Sequence, residues 1–170
     1  PEPAYFTLAA VPGQAAAGGP KLVEMQRPGL AGYLDRPGIV RANGAYQLQV
    51  AGTERWGEPL GDLFVRILAE DLNSRLPGTS VFTSAGSITA EAGATIEMDI
   101  QHFDADASGD VVLLAQVAVS QGRNRAGAMT RTVRLTQRPA GPGTAPLVAA
   151  MSAALGQFAD VVAGMVRGVR

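Results

Sequence analysis

The segment FDADASGD, residues 103–110, carries the side chains that most resemble a metal-binding loop. Oxygen-bearing side chains stand there at alternate positions: Asp104, Asp106, Ser108 and Asp110. Calcium loops use this spacing around a glycine, and they close on a bidentate carboxylate at their twelfth position. Here the twelfth position is Ala115. We therefore interpret the segment as a polar hairpin turn, in which Asp, Ser and Gly are the expected residues, and predict neither a metal nor a cofactor.

His102, the only histidine, directly precedes this segment. It could serve as the general base of a hydrolase if the aspartates of 104–110 converged on it in a cleft. However, it continues the alternation of Ile96, Met98 and Ile100, which predicts a position at the edge of a core face. The chain also has no G-x-S-x-G element to supply a nucleophile. We therefore predict a structural histidine, and keep a hydrolase built on His102 and the aspartates of 104–110 as the alternative.

The composition excludes several classes of function. Lys and Arg number 14 against 15 Asp and Glu, so there is no basic excess to neutralise phosphates, and we predict no nucleic-acid partner. The absence of cysteine excludes disulfides, thiolate metal sites and thiol catalysis. No P-loop pattern is present. No uninterrupted apolar run reaches the roughly 18 residues of a membrane span.

Two segments show the spacing of amphipathic helices. In residues 55–78 apolar side chains recur every three or four positions, Pro59 suits a first turn, and Pro77-Gly78 ends the pattern. Asp62, Arg66 and Glu70 stand four apart on the opposite face, where they can pair. Residues 147–169 have a second apolar stripe, and we interpret this segment as a core helix because it lacks the basic face of a membrane-surface helix.

The remaining chain reads as short strands. Strands are predicted for residues 4–11, 21–26, 80–83, 94–103, 110–120 and 129–138, and Asn43-Gly44 predicts a hairpin within residues 38–50. Hairpin-connected strands with two distant helices indicate an α+β fold. We predict a two-layer sandwich over one domain, residues 1–170, with a largely antiparallel sheet and both helices packed on one face.

The segment YLDRPGIVR, residues 33–41, is unusually rich in large and charged side chains for a linker. One hypothesis makes it a partner interface, with Tyr33 and Leu34 supplying apolar area and Asp35 and Arg36 supplying charge-assisted hydrogen bonds. The alternative is structural: Leu34 and Ile39 fill the core, while the charged pair fixes the turn.

Arg55 and Trp56, at the predicted start of the first helix, form a second candidate interface cluster. An aromatic side chain beside an arginine is typical of interface anchors. The alternative is that Trp56 packs onto the sheet.

Taken in order, these segments resemble the ABC-type transport auxiliary lipoproteins, the PqiC/YmbA-like group. The sharpest motifs are LDRP-x-IV within residues 33–41 and RW-x-EPL at the start of residues 55–78. The opening AYFTL (4–8), the run IQHFDADASGDVVLLAQ (100–116) and the closing MSAALGQFADVVAGMV (151–166) also fit, so the likeness covers nearly the whole chain.

The resemblance implies a lipoprotein of the Gram-negative periplasm, tethered by an acylated N-terminal cysteine, usually to the outer membrane. It further implies a role beside an MCE-type system that moves phospholipids or other hydrophobic molecules between the membranes, and binding to the periplasmic MCE subunit. It also implies a protein that is not an enzyme. Homo-oligomers are possible. No cysteine occurs in the 170 residues, so the implied lipid anchor lies outside this sequence; trimming after that cysteine would account for the start at Pro1.

An alternative from another class is a lipid- or small-molecule-binding module. It predicts an apolar cavity of at least about 300 Å³ between helices and sheet.

Overall fold

The computed structural model describes residues 2–84 and 86–169. Within them, the helices are α1 (Leu60–Arg75) and α2 (Thr144–Arg167), and one 3-10 turn spans Gly32–Leu34. The strands are β1 (Ala4–Phe6), β2 (Leu22–Met25), β3 (Gly29–Leu30), β4 (Gly38–Ala42), β5 (Leu48–Trp56), β6 (Ser80–Thr83), β7 (Ala94–Ala105), β8 (Val111–Gln121) and β9 (Asn124–Gln137).

The strands form one mixed sheet that curls into a half-barrel, and not the largely antiparallel sheet that we predicted. Antiparallel pairs join β4 to β5, β7 to β8 and β8 to β9. Five pairings between described residues are parallel: β1–β5, β2–β6, β2–β7, β3–β7 and β4–β7. The error has a clear origin, because hairpin signals report only strands that are adjacent in sequence. One edge of β7 instead receives three strands from earlier in the chain.

Both helices cover the same side of the sheet, as predicted. Phe64 of α1 meets Phe103 of β7 edge-on, with ring centroids 5.2 Å apart, and lies 6.1 Å from Phe158 of α2. All three rings are fully buried. Aromatic pairs favour this tilted geometry, so the three rings fix the spacing of the two helices over the sheet.

Among the described residues, α2 is the one helix whose length and apolar composition would allow it to cross a membrane. Its mean hydropathy is 1.5 over the relevant window, and 67% of that window is buried against the rest of the protein. A core helix meets the same criteria, and the packing of Phe158, Leu155 and Val162 in the core identifies α2 as one.

Helix α1 begins five residues later than the pattern predicted. Trp56 therefore ends strand β5 and does not start a helix. The physical reason is Pro59, because the residue before a proline is pushed out of the helical region. The predicted ion pair along the helix is also rearranged: Arg66 donates to Glu58 at 2.9 Å, and Asp62 lies 3.7 Å from Arg27.

An extended segment, residues 8–16, lies across the two helices where we predicted the end of the first strand. The backbone N–H of Val11 donates to Oδ1 of Asp71 at 2.8 Å, and its carbonyl accepts from Arg75 at 2.8 Å. Arg75 also donates to Asp160 of α2 at 2.6 Å. Residues 8–16 are thus held by buried polar groups, because an extended segment on a helix pair has no ladder to satisfy its backbone.

Asp71 makes the stability of the fold pH-dependent. Its burial raises the pKa of the carboxyl to about 6, against the opposing effects of the Val11 N–H and the Arg75 charge. The folded protein therefore holds a proton that the unfolded chain releases near pH 4. As the pH rises from 4 to 6, we expect this stabilisation, on the order of 2 kcal/mol, to be lost.

Urea unfolding of the wild type and Asp71→Asn between pH 4 and 7 measures this effect. Asp71→Asn keeps the acceptor for Val11 but cannot titrate, so its stability should vary less over that range. Asp62→Asn, an exposed carboxylate of the same helix, serves as the control and should follow the wild type. Parallel curves for the wild type and Asp71→Asn would contradict the expectation.

Candidate functional site

The segment 33–41 runs from the 3-10 turn into strand β4. The N–H of Leu34 donates to the carbonyl of Ala31, and the N–H of Asp35 to that of Gly32. This tight turn places Leu34 in the core, with 2% of its surface exposed, while Asp35 and Arg36 face solvent. Tyr33 lies half-buried between the two environments.

The two candidate interface clusters meet in space. Gly38 pairs with Arg55 across β4 and β5, and the Trp56 N–H donates to the Pro37 carbonyl at 2.8 Å. Trp56 is 5% exposed and belongs to the core, whereas Arg55 is exposed and donates to the Gly52 carbonyl at 3.3 Å. Asp35, Arg36 and Arg55 are therefore the side chains of these clusters that a partner can reach.

Gly38 permits the close approach of the two clusters. A Cβ atom at Gly38 would lie 2.5 Å from the Ala51 carbonyl oxygen and 2.7 Å from Cγ1 of Val50. Because the nearer atom belongs to the backbone, we expect Gly38→Ala to destabilise the fold by about 1–3 kcal/mol. Thermal and urea unfolding test this, with Gly52→Ala as control, since a Cβ at Gly52 meets nothing within 4 Å. Equal stability of the two variants would contradict the expectation.

A hydrogen-bonded cluster lies directly behind Tyr33. Its hydroxyl donates to Oδ1 of Asp104 at 2.8 Å and lies 2.9 Å from Nδ1 of His102. His102 is exposed, while Asp104 has only 7% of its surface exposed. The cluster thus ties segment 33–41 to β7, which is some 70 residues away in sequence.

His102 points away from the core because β7 contains a bulge, and our prediction of its position was wrong. Ile100 pairs with Ala115 and His102 with Leu114, so Gln101 has no partner in β8. One inserted residue reverses the alternation of a strand. Phe103 consequently takes the core position, and His102 joins Asp104 on the opposite face.

The hydrogen bonds determine the protonation pattern of the cluster. Tyr33 has one hydroxyl proton, which it donates to Asp104, so Nδ1 of His102 carries a proton and donates to the Tyr33 oxygen. Burial raises the pKa of both Tyr33 and Asp104, and the Asp104 charge raises that of Tyr33 further. Tyr33 therefore remains a neutral hydrogen-bond donor at neutral pH.

The cluster borders an open groove of about 400 Å³ between the β4–β5 loop and the outer face of the sheet. The groove combines aromatic and apolar walls with charged groups: Tyr33, Tyr46, Leu48, His102, Asp104 and Arg134. Tyr46 is fully exposed and Leu48 nearly half exposed. Such a combination suits contact with another macromolecule, since aromatic residues are enriched at interfaces.

The sequence of the chain matches the model of one protein family, described as the ABC-type transport auxiliary lipoprotein component, over residues 6–163. The chain belongs to this family. The resemblance drawn from the motifs is thereby confirmed, and a place in the cell envelope as part of a transport system follows from the family description. The auxiliary lipoprotein family is not a known enzyme family.

Several solved structures share the fold of this chain. An uncharacterised protein has a TM-score of 0.75 at 18% identity, with 94% of this chain and 98% of that chain covered. Protein XCC0632 from Xanthomonas campestris, of family DUF330, has a TM-score of 0.73 at 16% identity, with 98% and 94% covered. The hypothetical protein CT253 from Chlamydia trachomatis reaches 0.55 at 13% identity, with 89% and 98% covered. Comparison with curated protein sequences gives no match.

In this auxiliary lipoprotein the acidic segment 103–110 is the tip of the β7–β8 hairpin, as we interpreted it. Oδ1 of Asp106 accepts bonds from the backbone N–H groups of Ser108 and Asp110 and from the Ser108 hydroxyl. These bonds lower the pKa of Asp106. Within residues 2–84 and 86–169, no three His, Asp or Glu side chains come together in a way that could hold a metal ion.

The hydrolase hypothesis required the aspartates of residues 104–110 to converge on His102, and only Asp104 lies near it. Asp104 approaches His102 through Tyr33, but Asp106 is bonded within the hairpin tip, and Asp110 lies 3.3 Å from Arg138. Ser108, the nearest hydroxyl in sequence, is itself bonded to Asp106.

Sequence reasoning missed the role of Tyr33 as a link between the 3-10 turn and β7. It treated Tyr33 as apolar area and His102 as a core residue, so it did not predict a contact between them. The contact depends on the bulge at Gln101, and no local sequence pattern predicts that bulge.

Proposed function

We propose that this protein is the periplasmic, membrane-anchored auxiliary lipoprotein of an MCE-type ABC transport system. In this role it binds the MCE subunit and contributes to the movement of phospholipids or other hydrophobic molecules between the inner and outer membranes, with its lipid anchor in the outer membrane. Family membership supports the transport role. The proposal also holds that residues 1–170 act as a single domain.

The observation that carries the proposal is the exposed surface formed by Asp35, Arg36 and Arg55. The core holds this surface rigidly from below, because Leu34 and Trp56 are buried and the Tyr33 hydroxyl is bonded on both sides. A rigid surface loses little conformational entropy on binding. Asp35, Arg36 and Arg55 supply charges of both signs for recognition.

A pull-down with the periplasmic MCE-domain protein of the same system tests the proposal. We expect the double variant Asp35→Ala with Arg36→Ala, which leaves the Tyr33 hydrogen bonds intact, to bind at least tenfold more weakly, a loss of about 1.4 kcal/mol or more. Circular dichroism must show that the variant is folded. Arg123→Ala, an exposed arginine on the β8–β9 turn, is the matched control and should bind like the wild type.

Unchanged binding of the folded double variant would return segment 33–36 to a structural role. Failure of the wild-type protein to bind the MCE subunit would overturn the proposed function itself.

A second candidate function, a lipid-binding module, is favoured by an apolar groove of about 670 Å³ between α1 and β6. Its walls include Val65, Phe82 and Ile88, and its rim includes Arg27 and Arg66. The volume exceeds the 300 Å³ that a small ligand needs. Saturable binding of a fluorescent fatty acid that is lost in Ile88→Lys, at an exposed wall residue, would support this function, and the absence of binding would exclude it for such ligands.

A further inference from the structure

Strand β5 has a free edge along its first half. One edge of β5 pairs with β4 through residues 48–50. On the other edge β1 pairs only with residues 54–56. In the part of the chain that the structure describes, no strand pairs with that second edge between Leu48 and Gly52.

The hydrogen-bond pattern shows which backbone groups face this free edge. The Asn43 N–H donates to the Gln47 carbonyl at 2.8 Å, so these two residues form a hydrogen-bonded pair. Pairs in an antiparallel ladder alternate between hydrogen-bonded and non-hydrogen-bonded. Following the register, Arg41 and Gln49 bond to each other, whereas Leu48 and Val50 form non-bonded pairs with β4. The N–H and C=O groups of Leu48 and Val50 therefore point to the free edge.

This edge lacks the features that prevent strand addition. Natural edges are usually protected by charged residues or proline. Residues 42–53 contain neither a charged residue nor a proline. Tyr46, Leu48 and Val50 are instead exposed, at 102%, 48% and 42%. Leu48 and Val50 are two apart and so lie on one face of β5, and Tyr46 precedes them in the β4–β5 loop.

We infer that the β5 edge at residues 48–50, beside Tyr46 of the preceding loop, accepts an extended strand of the partner protein, uncharged and with apolar side chains at alternate positions. Only an extended backbone satisfies outward N–H and C=O groups at every second residue. The partner's apolar side chains pack on the row formed by Tyr46, Leu48 and Val50. The groove beside His102 and Asp104 adjoins this row, because Tyr46 and Leu48 line both.

The position of β1 disfavours a second copy of this chain at the same edge. In an antiparallel pair of β5 strands centred on Gln49, Glu54 of the copy falls opposite Gly44. Strand β1 occupies that edge of β5 from Glu54 onward. In this register the copy's β1 would therefore lie next to the β4–β5 loop, and a single donated strand avoids this crowding.

The inference rests on the proposed function, and amide hydrogen exchange with the periplasmic MCE-domain subunit tests it. In the free protein the Leu48 and Val50 amides should exchange rapidly, while that of Gln49 is protected by β4. On binding, we expect at least tenfold slower exchange at Leu48 and Val50 and little change at Gln49. Side-chain docking alone would not produce this alternation.

Two variants test the same point by affinity. Val50→Pro removes an outward N–H without breaking a bond to β4, which is the position where an edge strand tolerates proline. We expect at least tenfold weaker binding than for Val50→Thr, which keeps the N–H and the branched shape. Leu48→Lys adds a charge that disfavours strand addition and should also weaken binding at least tenfold. This variant provides the test if Val50→Pro does not fold.

The outcomes separate the two proposals. The strand addition is overturned if the wild type binds while exchange at Leu48 and Val50 stays unchanged. It is also overturned if Val50→Pro and Leu48→Lys both bind fully. Either result leaves the proposed function intact. Absence of wild-type binding overturns both. If the Leu48 and Val50 amides become more protected as the concentration of the protein alone is raised, the edge pairs with a second copy and the inference is overturned.

Discussion

Replacing Arg75 by methionine is expected to lower the free energy of unfolding by about 3 kcal/mol, the range found when one partner of a buried charge network is removed. Arg75 is only 2% exposed. It joins three parts of the fold, since it donates to the carbonyls of Val11 and Asp71 and to the Asp160 carboxylate. Methionine fills similar volume but removes the ion pair with Asp160 and leaves the Val11 carbonyl without the Arg75 donor, which carries a desolvation cost.

Arg66→Met is the matched control on the same helix. Arg66 pairs with Glu58 at 2.9 Å, but both side chains are largely exposed, and such pairs contribute less than about 1 kcal/mol. Urea unfolding at pH 7 measures both variants. Similar losses for the two would show that residues 8–16 do not depend on Arg75.

Replacing Trp56 by alanine is expected to cost about 3–5 kcal/mol, as for other large buried aromatic residues. Trp56 is 5% exposed, pairs with Phe6 across β5 and β1, and holds the Pro37 carbonyl through its backbone N–H. Alanine keeps the backbone bond but leaves a cavity beneath segment 33–38. Unfolding must be followed by circular dichroism, because Trp56 is the only tryptophan.

Arg55→Ala separates stability from recognition within the same dipeptide. Arg55 is exposed, so we expect its loss to change stability by no more than about 0.5 kcal/mol. If Arg55→Ala weakens binding of the MCE subunit while Trp56→Ala lowers stability, the two residues have different roles. A stability loss of comparable size for Arg55→Ala would contradict this division.

Local patterns predicted most elements of the fold. The strand at Ser80–Thr83 was predicted with its observed bounds, and the hairpin of residues 38–50 was confirmed as β4 and the start of β5. Both helices were predicted from spacing of three and four, because an apolar stripe is a property of consecutive residues. The strand predicted for residues 4–11 ends at Phe6, since residues 8–16 bond to helix side chains and not to a strand.

The candidate site was predicted only in part. The motifs identified the segments 33–41 and 55–56, but not that Leu34 and Trp56 are buried while Asp35, Arg36 and Arg55 are exposed. In a short turn the direction of a side chain depends on the elements packed beneath it. The pairing of Tyr33 with His102 and Asp104 depends on a bulge, which changes alternation without leaving a clear local pattern.

By itself, the sequence determined the α+β class, the two core helices, the neighbouring hairpins and membership in the auxiliary lipoprotein family. These depend on periodicity and on ordered motifs, both of which are carried by residues close together in the chain. Only the tertiary structure decided the parallel pairings on β7, the outward position of His102 and the free edge of β5. Each of these depends on which distant segment occupies a strand edge, and backbone hydrogen bonding between distant strands is largely independent of side-chain identity.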